Sequence, residues 1–179
     1  MGCCSPSRPK SPSESEIDIP RTSFQFASSK DVQIKNSDIG ITVAGSGVAI
    51  ATQAVEQDAA YWEVHVKQPG KIKLGVSRKL KSGELEGKIA EERVWAAEPD
   101  LTVGDVVGIS FGQSDLPNLS FKINDEPNAD FDVKKIGGLV HPFISVDESA
   151  EIEVIFGQKD FVFGIPRTFS PLMASQSLL

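Results

Sequence analysis

The chain has 179 residues, of which 40% are hydrophobic and 24% charged, and a soluble domain of this size buries a full core without disulfides or structural metals. Its net charge of −7 argues against a protein that wraps nucleic acid. The only two cysteines, Cys3 and Cys4, are adjacent near the N-terminus and cannot form a disulfide framework or a zinc site. The sequence shows neither a membrane-spanning apolar run nor a signal peptide, which predicts a cytosolic protein without metal or cofactor.

In chain order, the first predicted element is a disordered N-terminal tether, residues 1–20. Most of it is Ser, Pro and charged side chains, which cannot offset the entropy lost on ordering. Removal of the initiator methionine would expose Gly2 for myristoylation, and Cys3 and Cys4 would then be available for palmitoylation. The myristoylation pattern asks for Ser or Thr where Pro6 stands. The alternative is that two cysteines in a disordered tail fall beside Gly2 by chance.

Alternation of apolar and polar residues predicts β-strands through the middle of the chain. Residues 61–67 and 71–76 alternate, and the three-residue connection that ends at Gly70 is typical of an antiparallel hairpin. The other candidate strands are 32–35, 41–43, 48–52, 106–111, 119–123, 142–146 and 151–156, and residues 84–94 are read as a loop or a single turn. Short strands without a helical apolar stripe predict an all-β antiparallel sandwich over residues 21–167, with a C-terminal tail at 168–179.

The residues that could carry catalysis do not form a catalytic set. His65 alternates with apolar residues and is predicted on the outer sheet surface, and His141 precedes a proline at the start of a strand. Glu151 and Glu153 share a strand face about 7 Å apart, a spacing that a hydrolase could use. A solvated sheet surface explains them better, because nothing nearby predicts a pocket. The Gly-Ser-Gly at 45–47 lacks a third glycine and a following helix, and is read as a turn.

Residues 67–88 are a locally basic stretch in an acidic chain. They contain seven basic and two acidic side chains, a net charge of +5. One interpretation is a solvated hairpin whose outward lysines prevent edge pairing. The other is a surface that meets anionic lipid or an acidic segment of a partner protein.

Several of the predicted strands also carry recognisable motifs. They are YWEV at 61–64, LGVS at 74–77, GDVVG at 104–108, LSFKIN at 119–124 and HPFISV at 141–146. In this order the motifs resemble those of the SPRY domain, over roughly residues 30–166. The resemblance implies a bent antiparallel β-sandwich of two packed sheets that binds peptides or protein loops through loops at one rim, without catalysis. The chain departs from the family pattern where Asp125 replaces the usual Gly and where the segment 78–103 lacks a Gly-rich hairpin.

We therefore predict a monomeric protein-interaction module, held at the cytoplasmic face of a membrane by acyl groups and recruiting a protein or peptide partner. The segment 78–103 combines charge, an aromatic residue and no strand pattern, which favours it as part of the binding rim. The predicted partner-binding residues are Arg78, Lys79, Lys81, Arg93 and Trp95, and the alternative for Trp95 is a core or strand residue. One alternative is a soluble structural subunit or adaptor of a larger cytosolic or cytoskeletal assembly without a lipid anchor, and another is an unrecognised hydrolase.

Overall fold

The computed structural model describes residues 24–174, and these residues fold almost entirely as β-strands. The strands are β1 (Phe26–Ser28), β2 (Val32–Asn36), β3 (Gly40–Gly45), β4 (Gly47–Ala51), β5 (Ala59–Gln68), β6 (Lys71–Ser77), β7 (Val94–Ala97), β8 (Val106–Gly112), β9 (Asn118–Ile123), β10 (Glu126–Pro127), β11 (Val133–Lys134), β12 (His141–Asp147), β13 (Glu151–Ile155) and β14 (Ser170–Pro171). Four 3₁₀ turns lie between them, at Ser82–Glu84, Glu91–Arg93, Ala129–Phe131 and Gln158–Asp160. Within the described residues no helix is long and apolar enough to cross a bilayer.

The strands form two sheets packed face to face. The first sheet has the order β1-β4-β12-β6-β7, and the second has β10-β9-β8-β5-β13-β3-β2, with β11 added beside β9 and β14 beside β5. All pairs are antiparallel except β14 with β5. Apolar side chains of both sheets, such as Leu74 and Ile144 from the first and Val64 and Val107 from the second, meet in one buried core. The predicted all-β antiparallel sandwich is confirmed.

The strands predicted at 61–67 and 71–76 are present as β5 and β6, but the hairpin predicted between them is wrong. Strand β5 pairs with β8 and β13 in the second sheet, whereas β6 pairs with β12 and β7 in the first. The connection is therefore a corner between sheets. A Cβ at Gly70 would lie 2.5 Å from the Asp147 carbonyl oxygen, so this corner packs directly on the corner from β12 to β13. Alternation shows which face of a strand is buried but not which strands are neighbours, because strands in two facing sheets bury their apolar faces in the same core.

The turn at Asn124 and Asp125 keeps its hairpin despite the replaced glycine. The two residues have φ values of 52° and 67°, and they join β9 directly to β10. Both angles are left-handed, as in the two-residue turns that match the twist of a hairpin. Asn and Asp tolerate this region better than other side chains, because their short polar groups bond locally.

The chain after β13 covers the outer face of the second sheet. Buried Glu63 accepts hydrogen bonds from the backbone N–H groups of Val162 (2.8 Å) and Phe163 (2.9 Å), and Phe161 packs edge-on against Tyr61 at 5.1 Å. We call residues 157–174 the strap. Its end contributes β14 and the buried Leu172, so the packed chain continues beyond residue 167, where the sequence placed the end of the domain.

Two side chains predicted on a solvated sheet surface are largely buried in polar contacts, so that prediction is wrong. The His65 side chain is only 12% exposed and its Nε2 lies 3.0 Å from buried Glu63. Glu153, on the neighbouring strand, is 5% exposed, accepts a hydrogen bond from Ser37 and pairs with Lys67 at 2.8 Å. Burial alone would raise the pKa of Glu153. The bonds to Lys67 and Ser37 have the opposite and larger combined effect, so the pKa is below its ordinary value.

Candidate interaction site

The strand registers sort the connections of the sandwich into two ends. The pairs Ser77 with His141, Ala59 with Gly112 and Phe26 with Ala51 all lie at the same end of their strands. We call this the loop end, because it gathers the longer connections, 52–58, 78–93, 113–117 and 135–140. The opposite end, the corner end, holds the turns at 69–70, 124–125 and 148–150 and the loop at 98–105. All five predicted partner-binding residues come from the loop end.

The connection 78–93 folds back over the outer face of the first sheet. Leu80 and Leu85 are buried there in a small second core with Ile50 and Phe143. Two polar contacts fix the segment further: Arg93 pairs with Glu84, and the Lys81 N–H donates to Glu84 at 2.6 Å. These contacts lower the pKa of Glu84, the Lys81 N–H contributing most and Arg93 next. The segment is thus a fixed flap, with its charged side chains pointing away from the sheet.

Trp95 lies on a strand, which agrees with the alternative prediction for this residue and corrects the prediction that 78–103 has no strand pattern. It belongs to β7, the edge of the first sheet, and stands opposite core-facing Val76, so its ring is half-buried at the mouth of the sandwich. The Arg78 guanidinium carbon lies 5.9 Å from the ring centroid, and Arg78 Nε donates to the Gly137 carbonyl at 3.3 Å. A cation over an aromatic face is stabilised by the ring quadrupole, so Arg78 ties β7 to the loop 135–140.

The five predicted residues form one cluster at the loop end. The Arg93 guanidinium donates to the Lys79 carbonyl, and the Arg78 N–H donates to the Arg93 carbonyl at 2.9 Å. The side chains of Arg78, Lys79 and Lys81 are exposed, and none of the three makes a salt bridge to any residue in 24–174. We call these three residues the basic rim.

Two exposed leucines on neighbouring loops were missed by the sequence analysis. Leu116 is 73% exposed and Leu139 is 61% exposed. Their loops are joined by the Ile136 N–H, which donates to the Pro117 carbonyl, and the backbone at Gly138 lies beside the Arg78 guanidinium. A single apolar residue within a polar loop gives no periodic signal, and only the fold shows that both leucines lie at the same end of the sandwich as the basic rim.

The rest of the basic stretch 67–88 is largely neutralised within the fold. Lys67 pairs with Glu153 (2.8 Å), Lys71 with Glu148 (2.8 Å) and Lys73 with Glu98 (3.2 Å). These lysines do not protect a hairpin edge as one interpretation held, because β6 lies between β12 and β7. Within this stretch, the cations without a salt bridge to residues 24–174 are the three of the basic rim and the exposed Lys88.

The candidate catalytic side chains are used in structural contacts. Nδ1 of buried His141 lies 2.9 Å from the Ala51 carbonyl, and burial is the main reason that its pKa is lowered. His65 bonds to Glu63, and Glu153 to Lys67 and Ser37. Within residues 24–174 no three His, Cys, Asp or Glu side chains are grouped to hold a metal ion.

A shallow groove of about 190 Å³ lies on the outer face of the second sheet, away from the basic rim. Its floor is formed by Ser110 and Ser120, and its walls by Asn128 and the strap residues Pro166 and Phe169. Lys122 at its edge pairs with Asp125 at 2.9 Å. The other polar side chains that line it are Ser110, Ser120, Asn128 and Asp132. The lipidation residues Gly2, Cys3 and Cys4 lie outside the described part of the chain.

Comparison with solved structures identifies the class of fold. The SPRY domain of human HERC1 is 16% identical to this chain with a TM-score of 0.52, and the match covers 73% of this chain and 97% of that domain. The NHR1 domain of Drosophila melanogaster Neuralized is 13% identical with a TM-score of 0.54, covering 75% of this chain and 99% of that domain. The chain has the SPRY fold that its motifs predicted. No family model matches the sequence, and no curated protein matches it.

Proposed function

We propose that the chain is a non-enzymatic protein-interaction module that binds an extended segment of a partner protein at its loop end. The observation that carries the proposal is the basic rim, three exposed cations that the described fold leaves without salt bridges, beside the half-buried ring of Trp95. The exposed Leu116 and Leu139 supply apolar contact area on the same end. Arginine, an aromatic ring and apolar anchors beside each other are the composition of energetically dominant interface residues. The expected ligand carries acidic side chains next to apolar ones.

The motifs favour a more specific assignment within the SPRY fold. GDVVGISF at 104–111 and VHPFISVDESA at 140–150 resemble the small single-domain type represented by SPRY domain-containing protein 7. This type fits a chain whose described residues form one sandwich, with a cysteine-bearing N-terminal segment before it.

Site-specific photo-crosslinking in cells tests which end of the sandwich binds the partner. Leu139 and Val103 are matched positions, because both are exposed apolar side chains (61% and 64%) but lie at the loop end and the corner end respectively. A photoreactive amino acid at 139 is expected to give a discrete crosslinked protein that is absent from the protein labelled at 103. Lys79→Gln with Lys81→Gln should reduce this product about tenfold, since each exposed cation contributes roughly 0.5 to 1 kcal/mol. A product from position 103 alone would contradict the proposal.

We also propose that myristate on Gly2 and palmitate on Cys3 or Cys4 hold the module at the cytoplasmic face of a membrane as a monomer. The sequence Met-Gly-Cys-Cys supports this, because two acyl chains give stable residence where one gives only reversible binding. Intact mass of the protein from its native cells, with and without hydroxylamine, is the test. A myristoyl increment that resists hydroxylamine and a palmitoyl increment that is lost are expected. An unmodified N-terminus would contradict the anchor and favour a soluble adaptor of a cytosolic assembly.

A further inference from the structure

We infer that the acidic segment of the chain's own N-terminal region, residues 14–18, binds the basic rim and competes with the partner segment. The inference rests on the proposed function, since it assigns a second ligand to the same surface. Glu14, Glu16 and Asp18 alternate with Ser15, Ile17 and Ile19, so an extended backbone places the acids on one side and the isoleucines on the other. This is the mixture of acidic and apolar groups that the basic rim and its two exposed leucines would bind.

The described chain begins at the loop end, which brings the segment close. Phe24 is buried against Phe156 at a ring separation of 4.4 Å, and Phe26 pairs with Ala51 at the loop end of the first sheet. Thr52 and Gln53 hold the backbone of Gln25 beside the same loop. The first described residues therefore lie at the same end of the sandwich as the basic rim.

The distance to the rim is short enough for the segment to span. Strand β1 is separated from β6, whose end leads into Arg78, by the two strands β4 and β12. With neighbouring strands about 4.8 Å apart, the gap is roughly 14 Å. Asp18 precedes Phe24 by six residues, which span up to about 20 Å at about 3.4 Å per residue. The acidic segment is therefore long enough to span the gap between the two strands, and its linkage would give it an effective concentration of the order of millimolar at the rim.

The charges around the rim leave room for an anionic ligand. Within the flap, Glu84 is paired with Arg93, and Glu86 accepts a hydrogen bond from the Lys30 N–H at 2.7 Å. Glu91 and Glu92 are exposed on the turn before Arg93 and limit the positive field to the run 78–81.

The experiment measures binding of a fluorescein-labelled peptide of residues 11–20 to the full chain, by fluorescence anisotropy at low salt. Neutralising the tail with Glu14→Gln, Glu16→Gln and Asp18→Asn should increase the affinity for this peptide about tenfold, because the internal competitor is removed. Adding Lys79→Gln and Lys81→Gln to that variant should reduce the affinity about tenfold. Lys71→Gln with Lys73→Gln is the matched control, because it removes the same charge from the corner end of β6, and it should leave the affinity unchanged.

Equal peptide affinity of the wild-type and tail-neutral chains, or no peptide binding by either, would overturn the inference. The same result would leave the proposed function standing if the crosslink from position 139 persisted and still depended on the basic rim. If the inference holds, that crosslink should increase in the tail-neutral chain. If position 139 gave no crosslink but peptide binding still depended on the tail and on the basic rim, the result would contradict the partner site and support the internal contact.

Discussion

Glu63→Gln is expected to lower the free energy of unfolding by about 3 kcal/mol, measured by urea denaturation. The carboxylate is fully buried and receives hydrogen bonds from two strap N–H groups, from the Tyr61 hydroxyl at 3.1 Å and from His65. Glutamine keeps the shape but offers one acceptor oxygen, and its NH₂ group faces donors. Hydrogen bonds to a buried charged group contribute about 1.5 to 3 kcal/mol each, and an unsatisfied partner adds a further cost.

The size of this effect should depend on pH. Burial by itself raises the pKa of Glu63. The hydrogen bonds from His65, Val162, Phe163 and Tyr61 together lower it by more than burial raises it, so the folded-state pKa is below the ordinary 4.5. A lowered carboxyl pKa contributes stability above its unfolded value, and this contribution is lost as pH falls through the folded value. The difference between the wild type and Glu63→Gln should therefore be largest near neutral pH and shrink below about pH 4.5.

Glu151→Gln is the matched control, because Glu151 lies on the adjacent strand β13 but is half-exposed and has no salt bridge within residues 24–174. Its effect should stay within about 0.5 kcal/mol, as for ordinary surface changes. Equal effects of the two substitutions would mean that the strap is not held by Glu63.

Gly75→Ala is expected to destabilise the fold by about 2 kcal/mol and to reduce partner crosslinking from position 139 about tenfold. A Cβ at Gly75 would lie 2.1 Å from the Trp95 carbonyl oxygen and 2.6 Å from the Ala96 Cα, so β7 must move away from β6. Overpacking of this kind costs about 1 to 3 kcal/mol. Because β7 is an edge strand paired only with β6, the displacement would carry Trp95 away from Arg78.

Gly83→Ala provides the comparison for this substitution. Gly83 lies in the connection that joins β6 to β7, a Cβ there would meet no atom within 4 Å, and its φ is not left-handed. Adding a methyl group at this position should leave both stability and crosslinking unchanged. If Gly75→Ala kept full crosslinking, the position of Trp95 would not matter for partner binding.

The sequence predicted the strands well because a strand that is buried on one face alternates apolar and polar residues. It did not predict which strands are neighbours, and the false hairpin at 68–70 shows why: β5 and β6 display the same alternation from opposite sheets. It also placed His65 and Glu153 in solvent, because their partners Glu63, Lys67 and Ser37 are polar side chains that come together only in the fold. The side chains that hold the strap are polar, and polar residues on an outer sheet face normally indicate exposure.

The sequence identified part of the cluster that we propose as the binding site. Charge and an aromatic residue within one connection identified Arg78, Lys79, Lys81, Arg93 and Trp95, and the structure brings them together. The difference between the three rim cations and the lysines of β6 could not be read from the sequence. Glu148 and Glu98, which neutralise Lys71 and Lys73, are distant in the chain and become neighbours only when the sheets form.

Strand β5 can pair only late in folding, because its partner strands are distant in the chain. Its partners β8, β13 and β14 all come later in the chain, the earliest beginning at Val106, so β5 must wait for long loops to close. During that wait Ala59–Gln68 is an unpaired apolar strand of the kind that aggregates. In the unfolded chain, the charge of Glu63 interrupts this segment and opposes self-association. The same carboxylate thus protects the nascent strand first and holds the strap afterwards.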